Sequence, residues 1–279
     1  LQMKFDKMYT TKDIYTIYNW MLDDCGCDLL PEVPYEKRKL PYKDVFPMLY
    51  LKYRLSGGNS THKNIKHLVI DEMQDYTYLQ YTILESLFHC RMTILGDRAQ
   101  TLDTKQQDVL RFLPKLLGRE IRTIEIKKSY RNTLEIARYA EKVSGVSDLE
   151  LLDRHGKEVV EKTFNTDTEL LDELVCHLKC PGDFETAALI TTTEEEAFDL
   201  SRLLKLRGIN VSYVDRNSSA FKKGLTVTTF YLAKGLEFDQ VFALRGAKEN
   251  PLKNQAEYIC ATRALHELYV YEIADSLSK

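Results

Sequence analysis

The run Lys66-His67-Leu68-Val69-Ile70-Asp71-Glu72-Met73-Gln74-Asp75 constrains this chain more than any other stretch. A short apolar segment leads into two adjacent carboxylates, a glutamine and a third carboxylate. Buried parallel strands read as unbroken Val/Ile/Leu runs, and α/β proteins place their chemistry at the carboxyl ends of such strands. An Asp-Glu pair there can hold a hydrated Mg²⁺ with one carboxylate and orient an attacking water with the other. Taken alone, the pair reads as an acidic surface turn, because charged residues are mostly exposed.

Beyond this run, strand and helix patterns alternate. Thr77 to Phe88 has the spacing of a helix with Thr77 as its cap. Met92 to Leu95 reads as a strand, and Gln107 to Leu117 as a helix stopped by Gly118. Ile121 to Ile126 alternates as a strand, with helices after it over Thr133 to Val143 and Glu169 to His177. Ala187 to Ile190 is a buried strand. The run Thr191-Thr192-Thr193-Glu194 caps a helix over Glu195 to Leu206, closed by Gly208. Strands at Val211 to Val214, Leu225 to Phe230, Gln240 to Leu244 and Leu268 to Tyr271, with a helix carrying Arg263 before the last, complete the pattern. Strands alternating with helices imply an α/β fold with a largely parallel sheet. The division is expected near residue 118.

The first sixty residues are less legible. Thr11 to Leu22 has helical spacing, with Thr10 or Thr11 as the cap, and core packing is the favoured role for Tyr15 and Tyr18. Pro31, Pro34, Pro41 and Pro47 mark a connector before a helix near Phe46 to Leu55, and Ser56-Gly57-Gly58-Asn59-Ser60 reads as a turn. The net charge of −3 argues against a chain that blankets nucleic acid, although it leaves room for a local basic groove. No apolar run approaches the ~20 residues that span a bilayer. The cysteines, Cys25, Cys27, Cys90, Cys176, Cys180 and Cys260, form no zinc-ligand pattern and suit a reducing cytoplasm.

Four more motifs stand in order after the acidic strand: Gly96-Asp97-Arg98-Ala99-Gln100; Ser129-Tyr130-Arg131-Asn132; Ala233-Lys234-Gly235-Leu236-Glu237-Phe238-Asp239; and Ala261-Thr262-Arg263-Ala264. Singly each has an ordinary reading, Arg131 and Arg263 as ion-pair partners and Lys234-Gly235 as a plain turn. Together they resemble motifs II to VI of the UvrD/Rep-like superfamily-one helicases and translocases, over roughly residues 40 to 275. The resemblance implies two RecA-like domains, the first partial (1–118) and the second nearly complete (119–279), with ATP between them. It implies that Asp71 holds Mg²⁺ through water, that Glu72 orients the hydrolytic water, and that Gln100 sits near the γ-phosphate. It further implies that Tyr130 stacks on adenine, Arg131 contacts the γ-phosphate and Arg263 stabilises transition-state charge. Glu237 would take the ribose hydroxyl, with Lys234 and Gly235 shaping the loop beneath it.

Three departures qualify the resemblance. No Gly-x-x-x-x-Gly-Lys-[Ser/Thr] occurs in the 279 residues, so the β- and γ-phosphates lack the loop that usually cradles them. The expectation is a carboxy-terminal portion of a longer motor that turns over little ATP alone. Between Arg131 and Lys234 there is no room for the accessory domain of UvrD and Rep. Tyr231 stands where the family has histidine, and Thr101-Leu102-Asp103 replace its base-stacking aromatics. Tyr-Leu-Ala-Lys-Gly-Leu-Glu-Phe-Asp and Asp-Glu-x-Gln-Asp-Tyr look most like the HelD-like proteins, bacterial ATPases that bind RNA polymerase and free it from nucleic acid. That resemblance implies a cytoplasmic, nucleoid-associated monomer with RNA polymerase as partner, DNA as a further ligand and no membrane. A 3′–5′ DNA helicase of repair and a non-catalytic RecA-like binding module are the alternatives.

Overall fold

The computed structural model describes residues 11–56, 64–102, 109–118, 121–146, 149–179, 184–218, 223–246 and 250–274. The chain divides into two compact units. One is Leu1–Gly96 with Gln107–Arg122, and the other Asp97–Gln106 with Thr123–Lys279. The chain passes finally into the second unit after Arg122, close to the expected 118, while the segment carrying Gln100 joins the second unit. Ala99 and Leu102 pack against that unit's core, which is why the segment goes with it.

In the first unit, β1 (His67–Ile70) pairs in parallel with β2 (Arg91–Ile94), with Ile70 opposite Ile94. Leu68 and Ile70 turn one face toward Tyr81 of α3 (Tyr78–Leu87) and toward Val109 and Leu113 of α4 (Val109–Leu117). Val69 lies on the other face and is 61 % exposed, so this strand is buried on one side only. Thr77 and Gln80 form a full capping box at the start of α3. The apolar stripe of α1 (Ile14–Asp24), Tyr15, Tyr18 and Leu22, packs with Leu30 and with Met48 and Leu51 of α2 (Tyr42–Leu55). The cap of α1 is Asp13, which accepts from the Tyr15 amide, rather than Thr11; Thr10 lies outside the described residues, as do 57–60 of the expected turn and 107–108 of the expected helix. Pro47 sits inside α2 rather than in the connector. Buried Tyr18 donating to buried Asp44 at 2.9 Å anchors the turn before it.

The second unit holds a six-stranded sheet in the order β5-β10-β9-β6-β8-β7, every pair parallel. These strands are β5 (Val160–Phe164), β6 (Thr186–Thr191), β7 (Ser212–Tyr213), β8 (Gly224–Thr229), β9 (Phe238–Arg245) and β10 (Ala264–Ile273). Alternation along the central strands builds a core on each face. Ala188, Ile190, Val241, Ala243, Leu268 and Val270 meet Ile136 of α5 (Leu134–Ser144) and Ile259 of α8 (Lys253–Arg263). Leu189, Phe242, Tyr269 and Tyr271 meet Leu174 of α6 (Asp167–Lys179) and Leu204 of α7 (Glu194–Leu206). Full burial of a side chain such as Phe242 contributes about 1.5–3 kcal/mol. Thus the α/β fold with a parallel sheet between helices is what the sequence forms.

Two strands differ from expectation. Ile121 to Ile126 makes no strand: Ile124 and Ile126 are 70 % and 80 % exposed, and the short β3 (Lys128–Ser129) begins beyond them, pairing with β4 (Glu150–Leu151). Alternation without a neighbouring strand leaves backbone groups to water. Edge strand β5, by contrast, was hidden by its charges: only Val160 and Phe164 of Val-Glu-Lys-Thr-Phe turn inward. Among the described residues no helix is long and apolar enough to cross a membrane.

Candidate functional site

The acidic turn of the first unit is built at the carboxyl end of β1. Glu72 has φ 54° and ψ 47°, the only non-glycine among the described residues with positive φ. A left-handed residue with a Cβ costs roughly 1–2 kcal/mol, and such strain persists where neighbours hold it. They do so here. Asp71 Oδ1 accepts the Glu72 amide at 2.8 Å, and Gln74 Nε2 donates to Glu72 Oε2 at 2.6 Å. Buried Tyr81 donates to the Met73 carbonyl at 3.1 Å, and the Met73 amide donates to the Leu95 carbonyl at 2.8 Å.

Gly96 closes the turn from the other side. A Cβ at Gly96 would lie 2.7 Å from the Met73 amide nitrogen and collide with the Met73 and Gln74 side chains. Gly96→Ala is therefore expected to destabilise the protein by about 1–3 kcal/mol through overpacking. Urea denaturation checks this; an unchanged midpoint would mean that the turn yields freely.

A second cluster, entirely within the second unit, surrounds the three-residue turn Arg98–Gln100. Asp97 caps it, with Oδ1 accepting the Ala99 amide at 3.0 Å. Its Oδ2 accepts Gln100 Nε2 and the Tyr258 hydroxyl, both at 2.8 Å. Burial and the adjacent Asp97 push the Tyr258 phenol well above its ordinary range, so it remains a donor. Gln100 thus has its amide nitrogen fixed and its oxygen turned to Arg263 Nη2 at 3.4 Å. Lys234 Nζ donates to the Gln100 carbonyl at 3.1 Å, and Arg263 Nη1 to the Leu236 carbonyl at 3.2 Å. Gly235, between Lys234 and Leu236, has φ 83°, which a side chain would strain. Arg263 is 3 % exposed and Gln100 8 %. A guanidinium stays charged when buried and offers a rigid fork of donors, which suits it to phosphate oxygens.

Arg131 and Glu237 meet on the same unit, Arg131 Nε lying 2.7 Å from Glu237 Oε1, both half-exposed. Such a pair contributes at most about 1 kcal/mol, so either partner can release the other at little cost. Tyr130 beside it is exposed. Asn132, in contrast, is buried. Its Nδ2 donates to the carbonyls of Ala261 at 3.2 Å and Ala264 at 2.6 Å, which bracket Arg263. The sequence motifs did not point to Asp97, Asn132 or Tyr258 as supports; Asp97 and Asn132 were visible only as motif members.

The 153–156 segment was also missed. Glu135, in the first turn of α5, accepts from the Gly156 amide and pairs with His155 Nδ1, both at 2.8 Å. The His155 hydrogen bond, with backbone amides, holds the Glu135 carboxyl at about 2, while His155 is raised. A depressed carboxylate contributes stability above its unfolded value, near 4.5, and loses it as pH falls toward 2. A raised imidazole contributes below 6.5 and loses it as pH rises through its folded value. His155→Ala should therefore lower Tm most at about pH 5–6, the gap narrowing by about pH 9. A pH-independent gap in thermal scans would rule out the ion pair as its cause.

Among the described residues no group of three His, Cys, Asp or Glu is placed to hold a metal ion. Mg²⁺ bound with a nucleotide needs only one or two carboxylates, the rest being water and phosphate oxygens. Asp71, at the carboxyl end of β1, is a carboxylate of the kind that donor set needs. The five described cysteines are free, Cys180 lying outside the described residues. Burial pushes the Cys260 thiol up to about 12, leaving it an inert core residue.

No family model and no curated protein matches the chain. Among solved structures it is similar to the carboxy-terminal domain of a possible DNA helicase from Lactobacillus plantarum WCFS1, at 25% identity and a TM-score of 0.42, covering 52% of this chain and 88% of that one. It is also similar to the PRRSV helicase, at 18% identity and a TM-score of 0.43, covering 76% of this chain and 36% of that one. A third likeness is to arterivirus nonstructural protein 10, a helicase solved with DNA, at 17% identity and a TM-score of 0.32, covering 43% and 29%. The chain spans well under half of either viral protein's chain.

Proposed function

We propose that this chain supplies the acidic and arginine elements of a helicase-like, ATP-hydrolysing motor with RecA-like domains. One observation carries the reading: Gln100, Lys234 and Arg263, from three separate sequence motifs, meet in one cluster in which Gln100 accepts from both cations and Gln100 and Arg263 are buried. In this reading Asp71 holds Mg²⁺ through water, and the ion when bound neutralises phosphate charge. Glu72, fixed by Gln74, orients the attacking water and takes its proton. Arg263 meets the charge that builds on the γ-phosphate oxygens, and Gln100, hydrogen-bonded to it, registers whether that phosphate is present. Arg131 leaves Glu237 for the γ-phosphate, freeing Glu237 for the ribose hydroxyl, while Tyr130 offers its exposed ring to adenine. Lys234 and Gly235 hold the loop under Glu237.

The finer assignment is a HelD-like factor that uses this turnover to release RNA polymerase from nucleic acid, acting at the nucleoid in the cytoplasm. Its support is sequence wording, Tyr-Leu-Ala-Lys-Gly-Leu-Glu-Phe-Asp and Asp-Glu-x-Gln-Asp-Tyr, together with the short interval between Arg131 and Lys234. The test is MgATP turnover by the natural gene product carrying these residues, with and without RNA polymerase or single-stranded DNA. Stimulation by polymerase is the expected result. Stimulation by DNA alone would reassign the motor to DNA translocation, and no turnover would leave a binding module.

A further inference from the structure

The segment Asp153–Gly156 belongs to none of the motifs, yet it binds the loop that carries Arg131. Arg154 Nη2 donates to the Arg131 carbonyl at 3.0 Å and to the Leu265 carbonyl at 2.5 Å. Leu265 lies two positions beyond Arg263, just past the end of α8, so one terminal nitrogen spans the two stretches that present the arginines. A terminal guanidinium nitrogen carries two hydrogens in a plane, one for each carbonyl, and this planarity fixes the carbonyl-to-carbonyl spacing. Its positive charge also lies at the carboxyl end of α8, where the helix dipole favours a cation.

Arg154 is itself held in place. Its carbonyl accepts the Leu134 amide at 2.8 Å, and the next two residues are tied to Glu135. A Cβ at Gly156 would lie 2.5 Å from Thr133 Cγ2, so the segment presses against the start of α5. Arg154 Nε is buried with no hydrogen-bond partner. Asn132, bonded to the Ala261 and Ala264 carbonyls, ties the same loop to the same helix end by an independent route.

We infer that Arg154 is a positioning residue that sets the separation of Arg131 and Arg263, so that both reach one set of phosphate oxygens; this rests on the ATPase reading above. Two measurements test it. The first is hydrogen exchange on the full chain, which needs no activity. Arg154→Met, which keeps the length and removes the donors, should speed amide exchange over residues 129–134 by about tenfold or more. Arg154→Lys, which keeps charge and donors, should recover most of the protection. Unchanged exchange in Arg154→Met, or no recovery in Arg154→Lys, would overturn the clamp.

The second is turnover by the natural gene product. Arg154→Met should lower kcat on the order of 10–100-fold, as misplacement of a catalytic group by about 1 Å does, with KM changed little. Its effect should vanish in an Arg131→Ala background, because there is then no side chain to place. Equal effects in both backgrounds would make Arg154 a general structural residue and sink the inference. Absence of turnover in the wild-type protein would instead count against the ATPase reading, and the exchange result alone would then decide the clamp.

Discussion

Replacing Glu72 with glutamine is expected to cut ATP turnover by about 10²–10⁴-fold, the range for loss of a general base, with little change in fold or nucleotide affinity. The substitution is nearly isosteric. The side-chain oxygen that accepts from Gln74 Nε2 survives in the amide, as does the Glu72 amide's bond to Asp71 Oδ1. What disappears is the negative charge and the capacity to take a proton. Glu72→Gly gives the complementary result. It removes the side chain together with the Cβ that strains the left-handed backbone, so it should raise stability by roughly 1 kcal/mol while abolishing turnover. Chemical denaturation and steady-state hydrolysis on the natural gene product read both quantities. If Glu72→Gln keeps wild-type turnover, the water is activated elsewhere and the strain at position 72 needs another explanation.

Arg263→Ala is expected to lose more, on the order of 10³–10⁵ in kcat, the effect of removing an arginine that meets transition-state charge. Nucleotide affinity should fall by far less. The contrast rests on what Arg263 does within the fold: the Leu236 carbonyl, the Thr262 hydroxyl and the Gln100 side-chain oxygen orient its fork. An arginine fixed in advance gains most where phosphate charge builds during reaction. Arg263→Lys should recover little, since a point charge cannot reproduce the fork that reaches Leu236 and Gln100 together. Because Arg263 is buried, each variant also requires a thermal scan. Equal losses in binding and kcat would show that the arginine acts in the ground state.

Periodicity and caps made most of the second unit legible. Thr193 with Glu196 starts α7 one residue from the expected position, and the apolar runs of β6, β8, β9 and β10 emerge with small shifts at their ends. Reading failed where local pattern and tertiary surroundings disagree. Val-Glu-Lys-Thr-Phe becomes a strand because β10 offers it a hydrogen-bonding edge, whereas the alternating isoleucines near 121–126 find none. Pro47 stays inside a helix against its local propensity, with the buried Tyr18–Asp44 contact holding the first turn of that helix, a contact no local pattern reports.

The candidate site divides the same way. Each motif residue was visible as a chemical type, but which of them meet was not. Gln100 with Arg263, and Arg131 with Glu237, are pairs made only by the fold. The supporting residues, Arg154, His155 and Tyr258, carry no spacing signal because their partners are backbone carbonyls or side chains far along the chain.

The order of the second sheet bears on how a growing polypeptide acquires it. Among the described strands of this sheet the one furthest along the chain, β10, is not added at an edge but inserted between β5 and β9. Until residues 264–273 leave the ribosome, β5 has no neighbour to pair with, and Asn132 lacks the Ala261 and Ala264 carbonyls, the former 129 positions away. Pairings at such sequence separations form slowly. Leu189, Val227 and Phe242 must therefore wait, synthesised but without the cover that Tyr269 and Tyr271 bring to their core.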